Sequence, residues 1–271
     1  MGRFRLDVIL LPLIAFFVGI IAAMVGVGGG VFIVPVLCLI FNFEPSVAFG
    51  TSLAAIIFTS LSSTMNYSRQ KRIDYRVGLV LAIATIPGAF VGAYLTTVIE
   101  SRLLGLIFGF FLVFVALRMM VKFGFCKFGF PRIGDSWHRK IVDSDGKIFE
   151  YDINIGLGLA LSFFGGFSSG LLGIGGGSVM VPIMCLVMNI PMHVAVATSM
   201  FIMIFTSISG VVTHFSLGNV LFEYVVLLSI GVIFGAQLGA HFSKRISAKN
   251  LRRIFGVVLL LVSVRMILKY V

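Results

Sequence analysis

Long apolar runs dominate the chain, and short polar segments separate them. The clearest apolar runs cover residues 7–41, 46–67, 77–98, 103–121, 153–188, 194–216, 221–242 and 251–270. Most of these runs reach the roughly 20 residues that a helix needs to cross a bilayer. The pattern predicts an all-α integral membrane protein, with about four helical segments on each side of a polar segment at 122–151.

A glycine-proline signature occurs twice, at positions 147 residues apart. Residues 26–38 read GVGGGVFIVPVLC, and residues 173–185 read GIGGGSVMVPIMC. The same offset, without a gap, pairs Thr51-Ser52 with Thr198-Ser199. These matches predict two homologous transmembrane repeats at 1–121 and 152–271, joined by a polar cytoplasmic linker at 122–151.

The first apolar run of each half is too long for one ordinary span and is broken by the glycine signature. If each run folds as a hairpin that returns to its starting side, each half has three further crossings and the halves are inverted. The basic loops 69–76, 122–150 and 244–253 then all face the cytoplasm, which the positive-inside rule favours. If each run crosses once, the protein has eight spans in parallel repeats. Inverted repeats are the preferred prediction, although Arg3 and Arg5 count against them.

The linker is the most polar part of the chain. Asp145-Gly146 lies between short alternating runs, a pattern typical of a hairpin turn. We expect a solvated connector without a catalytic role, because Trp137 and His138 have no metal-site spacing.

Composition agrees with a membrane protein, since 59% of the residues are hydrophobic and 11% are charged. A soluble domain carries about twice that charge. The net charge of +11 reflects basic loops and predicts no nucleic-acid partner. Three cysteines give no disulfide framework, and Cys38 and Cys185 are either small apolar residues or S–H groups beside an anion.

The glycine signatures have a chemical interpretation and a packing interpretation. Consecutive glycines weaken a helix by about 1 kcal/mol each and leave N–H groups free. The short helices that would begin after them present N termini that attract anions, and each following proline could remove a further backbone bond. Close packing is the alternative, and it is the expected role of Gly88 and Gly92 and of Gly235 and Gly239. Gly92→Ala should therefore be tolerated.

All ten acidic residues fall in loops or near the ends of apolar segments, which favours an anion over a cation as substrate. Hydroxyl groups of the Thr-Ser pairs could donate to that anion or bond to their own backbone. His214 and His241 either anchor at an interface or relay a proton. The predicted substrate-binding residues are Gly28, Gly29, Gly30, Pro35, Thr51, Ser52, Gly175, Gly176, Gly177, Ser178, Pro182, Thr198 and Ser199.

At the paired GxGGGxxxVP motifs the chain resembles the sulfite exporter TauE/SafE family, also called the 4-toluenesulfonate uptake permease family. The resemblance covers both halves and implies an integral membrane transporter of sulfur-containing anions such as sulfite or organosulfonates. It also implies Gly28–Gly30 with Pro35, and Gly175–Gly177 with Pro182, as site positions. The family is usually described as an eight-span duplication, which differs from the hairpin topology.

The function expected from these observations is secondary transport of a small sulfur-containing oxyanion, by alternating access between the repeats. A co-transported proton is possible, and no cofactor or metal is expected. The alternatives are an anion channel and a membrane-embedded enzyme. The enzyme is disfavoured because neither HExxH nor GxSxG occurs. The expected location is a bacterial inner membrane.

Overall fold

The computed structural model describes residues 2–120, 136–243 and 248–271. The helices in these ranges are α1 Gly2–Val25, α2 Gly30–Leu39, α3 Pro45–Arg69, α4 Tyr75–Leu95, α5 Ser101–Met120, α6 Ile155–Leu172, α7 Gly177–Pro182, α8 Met192–Ser216, α9 Phe222–Phe242 and α10 Ala248–Tyr270. A π-helical turn, Ile183–Val187, continues α7, and strands β1 Ser136–Val142 and β2 Ile148–Asn154 precede α6. The predictions for 122–135 and for Lys244 and Arg245 lie outside the described residues.

Five of the described helices are long and apolar enough to cross a membrane, namely α3, α4, α6, α8 and α9. Leu10–Val25, Gly30–Leu39, Ser101–Leu117 and Gly177–Val187 are shorter apolar helical stretches. The prediction of an all-α membrane protein is confirmed.

The bounds of the helices repeat with the offset that the sequence shows. Helix α3 begins at Pro45 and ends at Arg69, and α8 begins and ends 147 residues later, at Met192 and Ser216. Helices α4 and α9 have the same relation, as do the end of α1 and the end of α6. The bounds of these helices therefore follow the offset of the sequence.

Glycines bring the backbones of the two halves into direct contact. On α4, a Cβ added to Gly88 or Gly92 would meet the carbonyl oxygen of Phe163 or Phe167 on α6. The equivalent contacts join Gly235 on α9 to α1. The packing role expected of these glycines is confirmed. The tolerance expected of Gly92→Ala is wrong, because the new Cβ would collide with rigid backbone.

Contacts along the helices give their relative directions. The Ser62 hydroxyl donates to Ile233 O at 2.7 Å, and Asn66 Nδ2 donates to Gln237 O at 3.1 Å, so α3 and α9 run in the same direction. In contrast, Gly50 near the start of α3 packs against His214 near the end of α8. Helices α3 and α8 occupy equivalent positions in the two halves, and they run antiparallel.

The two strands form an antiparallel hairpin in which Ser136 pairs with Asn154 and Val142 with Ile148. The prediction of a turn at Asp145-Gly146 is confirmed, because Gly146 has a φ of 79°. The expectation of a purely solvated connector is wrong. Phe149 and Tyr151 are buried and belong to the apolar cluster that includes Met188. The β-hairpin thus covers one end of the helical assembly.

Candidate functional site

Helix α1 ends in a turn that only glycine adopts without strain. Gly26, Gly28 and Gly29 have φ values of 81°, 81° and 96°, a left-handed region that disfavours residues with a side chain. Helix α2 begins at Gly30. Residues 26–30 are called the first glycine turn, and they are buried.

The second signature adopts the same conformation at the equivalent positions. Gly173, Gly175 and Gly176 have φ values of 67°, 76° and 82°, and α7 begins at Gly177. Residues 173–177 are called the second glycine turn. Three matching left-handed positions in each copy explain why the signatures are rich in glycine.

The two glycine turns contact each other at the centre of the molecule. A Cβ on Gly30 would meet the carbonyl oxygen of Gly173, and a Cβ on Gly177 would meet that of Gly26. The thioether of Met203 packs against both Gly28 and Gly177. Two distant signatures therefore form one buried arrangement, which their sequence spacing could not show.

The turns present amide groups without an internal acceptor. In the first turn, the N–H groups of Gly28, Gly29 and Gly30 donate to no described residue. The next two amides, of Phe32 and Ile33, donate to Gly29 O. Within the described ranges, the buried charged residues are Arg72, Asp74 and Asp143, which belong to the α3–α4 loop and the β-hairpin. The centre is thus free of side-chain charge and contains polar N–H groups.

Thr51 and Thr198 have equivalent backbone partners. Leu221 N donates to Thr51 Oγ1 at 3.2 Å, and Asp74 N donates to Thr198 Oγ1 at 3.0 Å. Each threonine oxygen thereby holds the start of a helix in the other half, α9 or α4. A hydroxyl that accepts a hydrogen bond keeps its own proton. Each threonine hydroxyl can therefore still donate that proton to a ligand.

The serines beside these threonines differ from each other. Ser199 donates to Val196 O at 2.8 Å and contacts Gly26 O at 3.3 Å. Its equivalent Ser52 is fully buried and has no hydrogen-bond partner in the described structure. Ser178 is buried at the start of α7.

The two prolines of the signatures also differ in effect. Pro35 lies inside α2, which continues as an ordinary helix to Leu39. Pro182 ends α7 and is followed by the π-helical turn, in which Met188 N donates to Ile183 O at 3.1 Å. The departure from regular α-helix that each proline could cause accordingly occurs in the second copy.

The two signature cysteines have different surroundings. Cys38 is fully buried, its thiol shares a hydrogen bond with Tyr270, and its carbonyl oxygen accepts from Lys269 Nζ. The Cys185 thiol lies 3.9 Å from the Met192 sulfur.

Sequence reasoning missed a polar network where the β-hairpin meets the α3–α4 loop. Arg139 donates two hydrogen bonds to Asp74, at 2.9 and 2.8 Å. The Tyr151 hydroxyl donates to the same carboxylate at 2.9 Å, and Val77 N at 3.2 Å. Despite burial, these donors hold the pKa of the Asp74 carboxyl below its ordinary value. No local sequence signal pairs residues so far apart.

Comparison with known proteins gives a consistent result. The model of a family described as sulfite exporter TauE/SafE matches residues 11–266. A probable membrane transporter protein of Bacillus subtilis, YunE, is 37% identical over 270 residues, which span 96% of this chain and 97% of the relative. A probable membrane transporter protein of Methanocaldococcus jannaschii is 28% identical over 273 residues, with 95% and 94% coverage. No solved structure matches the chain significantly.

Proposed function

Because the chain belongs to the TauE/SafE family of membrane transporters, we propose that it carries a small sulfur-containing oxyanion, sulfite or an organosulfonate, across the membrane. The description of the family as sulfite exporters supports this substrate class. Transport is secondary, and the protein performs no catalysis. The driving gradient is either that of the anion itself or that of a proton taken with it.

The observation that carries this proposal is the meeting of the two glycine turns. Their unbonded N–H groups lie in a buried centre without side-chain charge. Successive backbone N–H groups in left-handed turns bind anions, and a site without acidic side chains does not repel them. Gly28–Gly30 and Gly175–Gly177 supply the amides, and Thr51, Ser52, Thr198, Ser199 and Ser178 supply hydroxyls.

Movement of one half against the other would expose the turns to each side in succession. Helices α3 and α8 run antiparallel, whereas α3 and α9 run parallel, which supports two inverted repeats related by an axis in the membrane plane. Inverted repeats with broken helices near mid-membrane are a common basis of alternating access. We propose that the β-hairpin and the basic loop 69–76 face the cytoplasm of a bacterial inner membrane, as their positive charge favours.

Uptake of radiolabelled sulfite and of radiolabelled methanesulfonate into proteoliposomes tests the proposal. Accumulation above the level in empty vesicles is expected, and no uptake of any oxyanion in a broad panel would refute transport. Accumulation against a gradient excludes the channel alternative. Release of a chemically altered product would instead favour the membrane-embedded enzyme.

The coupling ion is tested in the same vesicles. Without an acidic side chain at the centre, replacing sodium by potassium should leave uptake unchanged. An imposed proton gradient should increase uptake if a proton accompanies the anion. Strict dependence on sodium would contradict this coupling.

A further inference from the structure

Four fully buried serines among the described residues have hydroxyl groups without a hydrogen-bond partner. Ser52, Ser63, Ser169 and Ser207 are each 0% exposed, and their Oγ atoms contact no donor or acceptor among the described residues. Ser63 lies beside Ser62, which bonds to Ile233 of α9, and the other three serines lie elsewhere. A buried polar group without a partner costs about 1–3 kcal/mol of folding free energy. Groups of this kind in a native structure require an explanation.

Two of these serines lie on helix faces that contact the second glycine turn. Phe49 of α3 packs against Gly173, and Ile56 of α3 packs against Gly175. Ser52 lies between them at helical spacing, so it occupies the same face. On α6, the Ser169 Cβ lies 3.4 Å from the position that a Cβ of Gly176 would take.

The third serine lies on the corresponding face of α8. Met203 contacts Gly175 and Gly177 of the second turn as well as Gly28 of the first, and Gly210 contacts Gly170 near the end of α6. Ser207 lies between Met203 and Gly210 at helical spacing and therefore shares their face. Helices α3, α6 and α8 thus each bring one unpartnered hydroxyl to the surroundings of the second glycine turn.

The first glycine turn has no such set, although its surroundings are equivalent. The counterpart of Ser52 is Ser199, which donates to Val196 O. The counterpart of Ser207 is Ser60, which donates to Ile57 O at 2.9 Å. The counterpart of Ser169 is Ala22, which has no hydroxyl. At the counterpart positions, the hydroxyl groups either bond to backbone or are missing, whereas the hydroxyls of Ser52, Ser169 and Ser207 have no partner.

We propose that Ser52, Ser169 and Ser207 form a single binding site for an SO₃ group beside the second glycine turn. The inference rests on the proposed function and deepens it, since it names the side-chain donors that would bind the oxygens of the anion. Three neutral O–H donors on three helices suit the three oxygens of a sulfite or sulfonate group. A carboxylate has two oxygens, so two of the three donors would have to share one oxygen.

The decisive variants are Ser52→Ala, Ser169→Ala and Ser207→Ala, assayed one at a time by radiolabelled sulfite uptake in proteoliposomes. Losing one donor to a charged ligand weakens affinity by about tenfold to a hundredfold, so the KM for sulfite should rise by about tenfold or more. The melting temperature of each ligand-free variant should stay unchanged or rise, because the substitution removes an unpartnered buried hydroxyl. A purely structural role would not raise KM while preserving stability.

Ser60→Ala is the matched control for Ser207→Ala, because it removes the hydroxyl at the equivalent position of the first half. Its KM should stay within about twofold of the wild-type value, since its hydroxyl bonds to backbone. Methanesulfonate should compete with sulfite uptake by the wild type, whereas acetate should not. Equal KM changes in Ser207→Ala and Ser60→Ala, or equal competition by acetate, would overturn the inference.

Failure of the inference is distinguishable from failure of the proposed function. If the wild type accumulates sulfite and the three variants keep its KM, transport stands and the serine site is refuted. If the wild type carries no sulfur oxyanion, the proposed function and the site are both refuted.

Discussion

The two ends of the molecule are closed by different means, although the duplication gives them equivalent positions. At one end, aromatic rings from the repeats themselves pack together, namely Phe41, Phe43 and Tyr224. The ring centroids of Phe43 and Tyr224 lie 4.8 Å apart, and those of Phe41 and Tyr224 lie 5.8 Å apart, both with edge-on geometry. This end needs no added segment for its closure.

At the other end, the same three positions hold the aliphatic residues Met188, Ile190 and Val77. These side chains are buried with Phe149 and Tyr151 of the β-hairpin in one apolar cluster. The inserted hairpin therefore supplies the aromatic rings that the repeat lacks here. A duplicated framework can keep its backbone while an insertion makes its two ends physically different.

Polar contacts follow the same division. Asp74 receives bonds from Arg139 and Tyr151, and its equivalent at the other end is Leu221, which is 40% exposed. Arg72 forms a second buried ion pair with Asp143 at 3.1 Å. The hairpin is thus fixed by charge as well as by apolar burial, and each contribution can be removed separately.

Among changes that remove what distinguishes the two ends, Asp74→Ala should cost the most stability. The change leaves Arg139 without its partner and removes the side-chain cap that Asp74 gives to Val77 N at the start of α4. Loss of one member of a buried pair costs about 3–5 kcal/mol, and loss of a cap about 1 kcal/mol. The melting temperature of the detergent-solubilised protein should fall, and amide hydrogen exchange in β1 and β2 should accelerate.

Leu221→Ala is the matched control for Asp74→Ala, because the two residues occupy equivalent positions. A partly exposed apolar side chain should contribute only about 0.5 kcal/mol. Equal losses of stability in the two variants would show that the two ends are fixed in the same way.

A smaller effect is expected from Phe149→Ala, which removes a buried ring above Met188. Truncation of a buried phenylalanine costs about 3 kcal/mol. Phe43→Ala removes the corresponding packing at the aromatic end. If the two ends close independently, the double variant should lose the sum of the single losses within about 0.5 kcal/mol. Thermal or denaturant unfolding of all three variants measures this, and marked non-additivity would show coupling between the ends.

The sequence was sufficient to predict the apolar helices and the glycine turns that interrupt them. Apolar run lengths, the offset between the signatures and the Asp145-Gly146 turn are local signals, and the structure bears them out. The contact between the glycine turns is a property of the fold, because Gly30 and Gly173 are far apart in the chain. The periodicity of apolar residues along the chain does not indicate that Gly30 and Gly173 are in contact.

The sequence was insufficient to separate binding from packing at the glycines. Gly29 has a φ of 96°, so Gly29→Val strains the backbone whether or not an anion binds there. The serines are more informative, since Ser169 and Ser207 differ from their counterparts only in hydrogen bonding or in the presence of a hydroxyl. That difference becomes visible when the partners of each hydroxyl are known.

Acid should loosen the hairpin end selectively. The Asp143 carboxylate accepts from Arg72 and from two backbone amides of the hairpin turn, and these contacts lower its pKa, as the contacts of Asp74 lower that of Asp74. A lowered carboxyl pKa stabilises the fold above the ordinary value of about 4, and this stabilisation is lost as the pH falls through the folded pKa. Hydrogen exchange in β1 and β2, corrected for its intrinsic pH dependence, should lose protection below about pH 4. Protection that is unchanged there, or that falls equally around Tyr224, would contradict the assignment.

The smallest effect is expected from Lys140→Ala, on the opposite face of the same strand. Lys140 pairs with Glu150 at 2.8 Å, and the side chains are 55% and 50% exposed. Arg139, its neighbour, pairs with Asp74 at the same distance, but that carboxylate is 0% exposed. Water and salt screen an exposed pair, and many such pairs contribute nothing measurable. Lys140→Ala should therefore leave the melting temperature and the hydrogen exchange of β1 unchanged, whereas Arg139→Ala should lower the melting temperature and accelerate the exchange. Equal effects of the two substitutions would mean that burial of the Asp74 carboxylate does not set the strength of the hairpin's attachment.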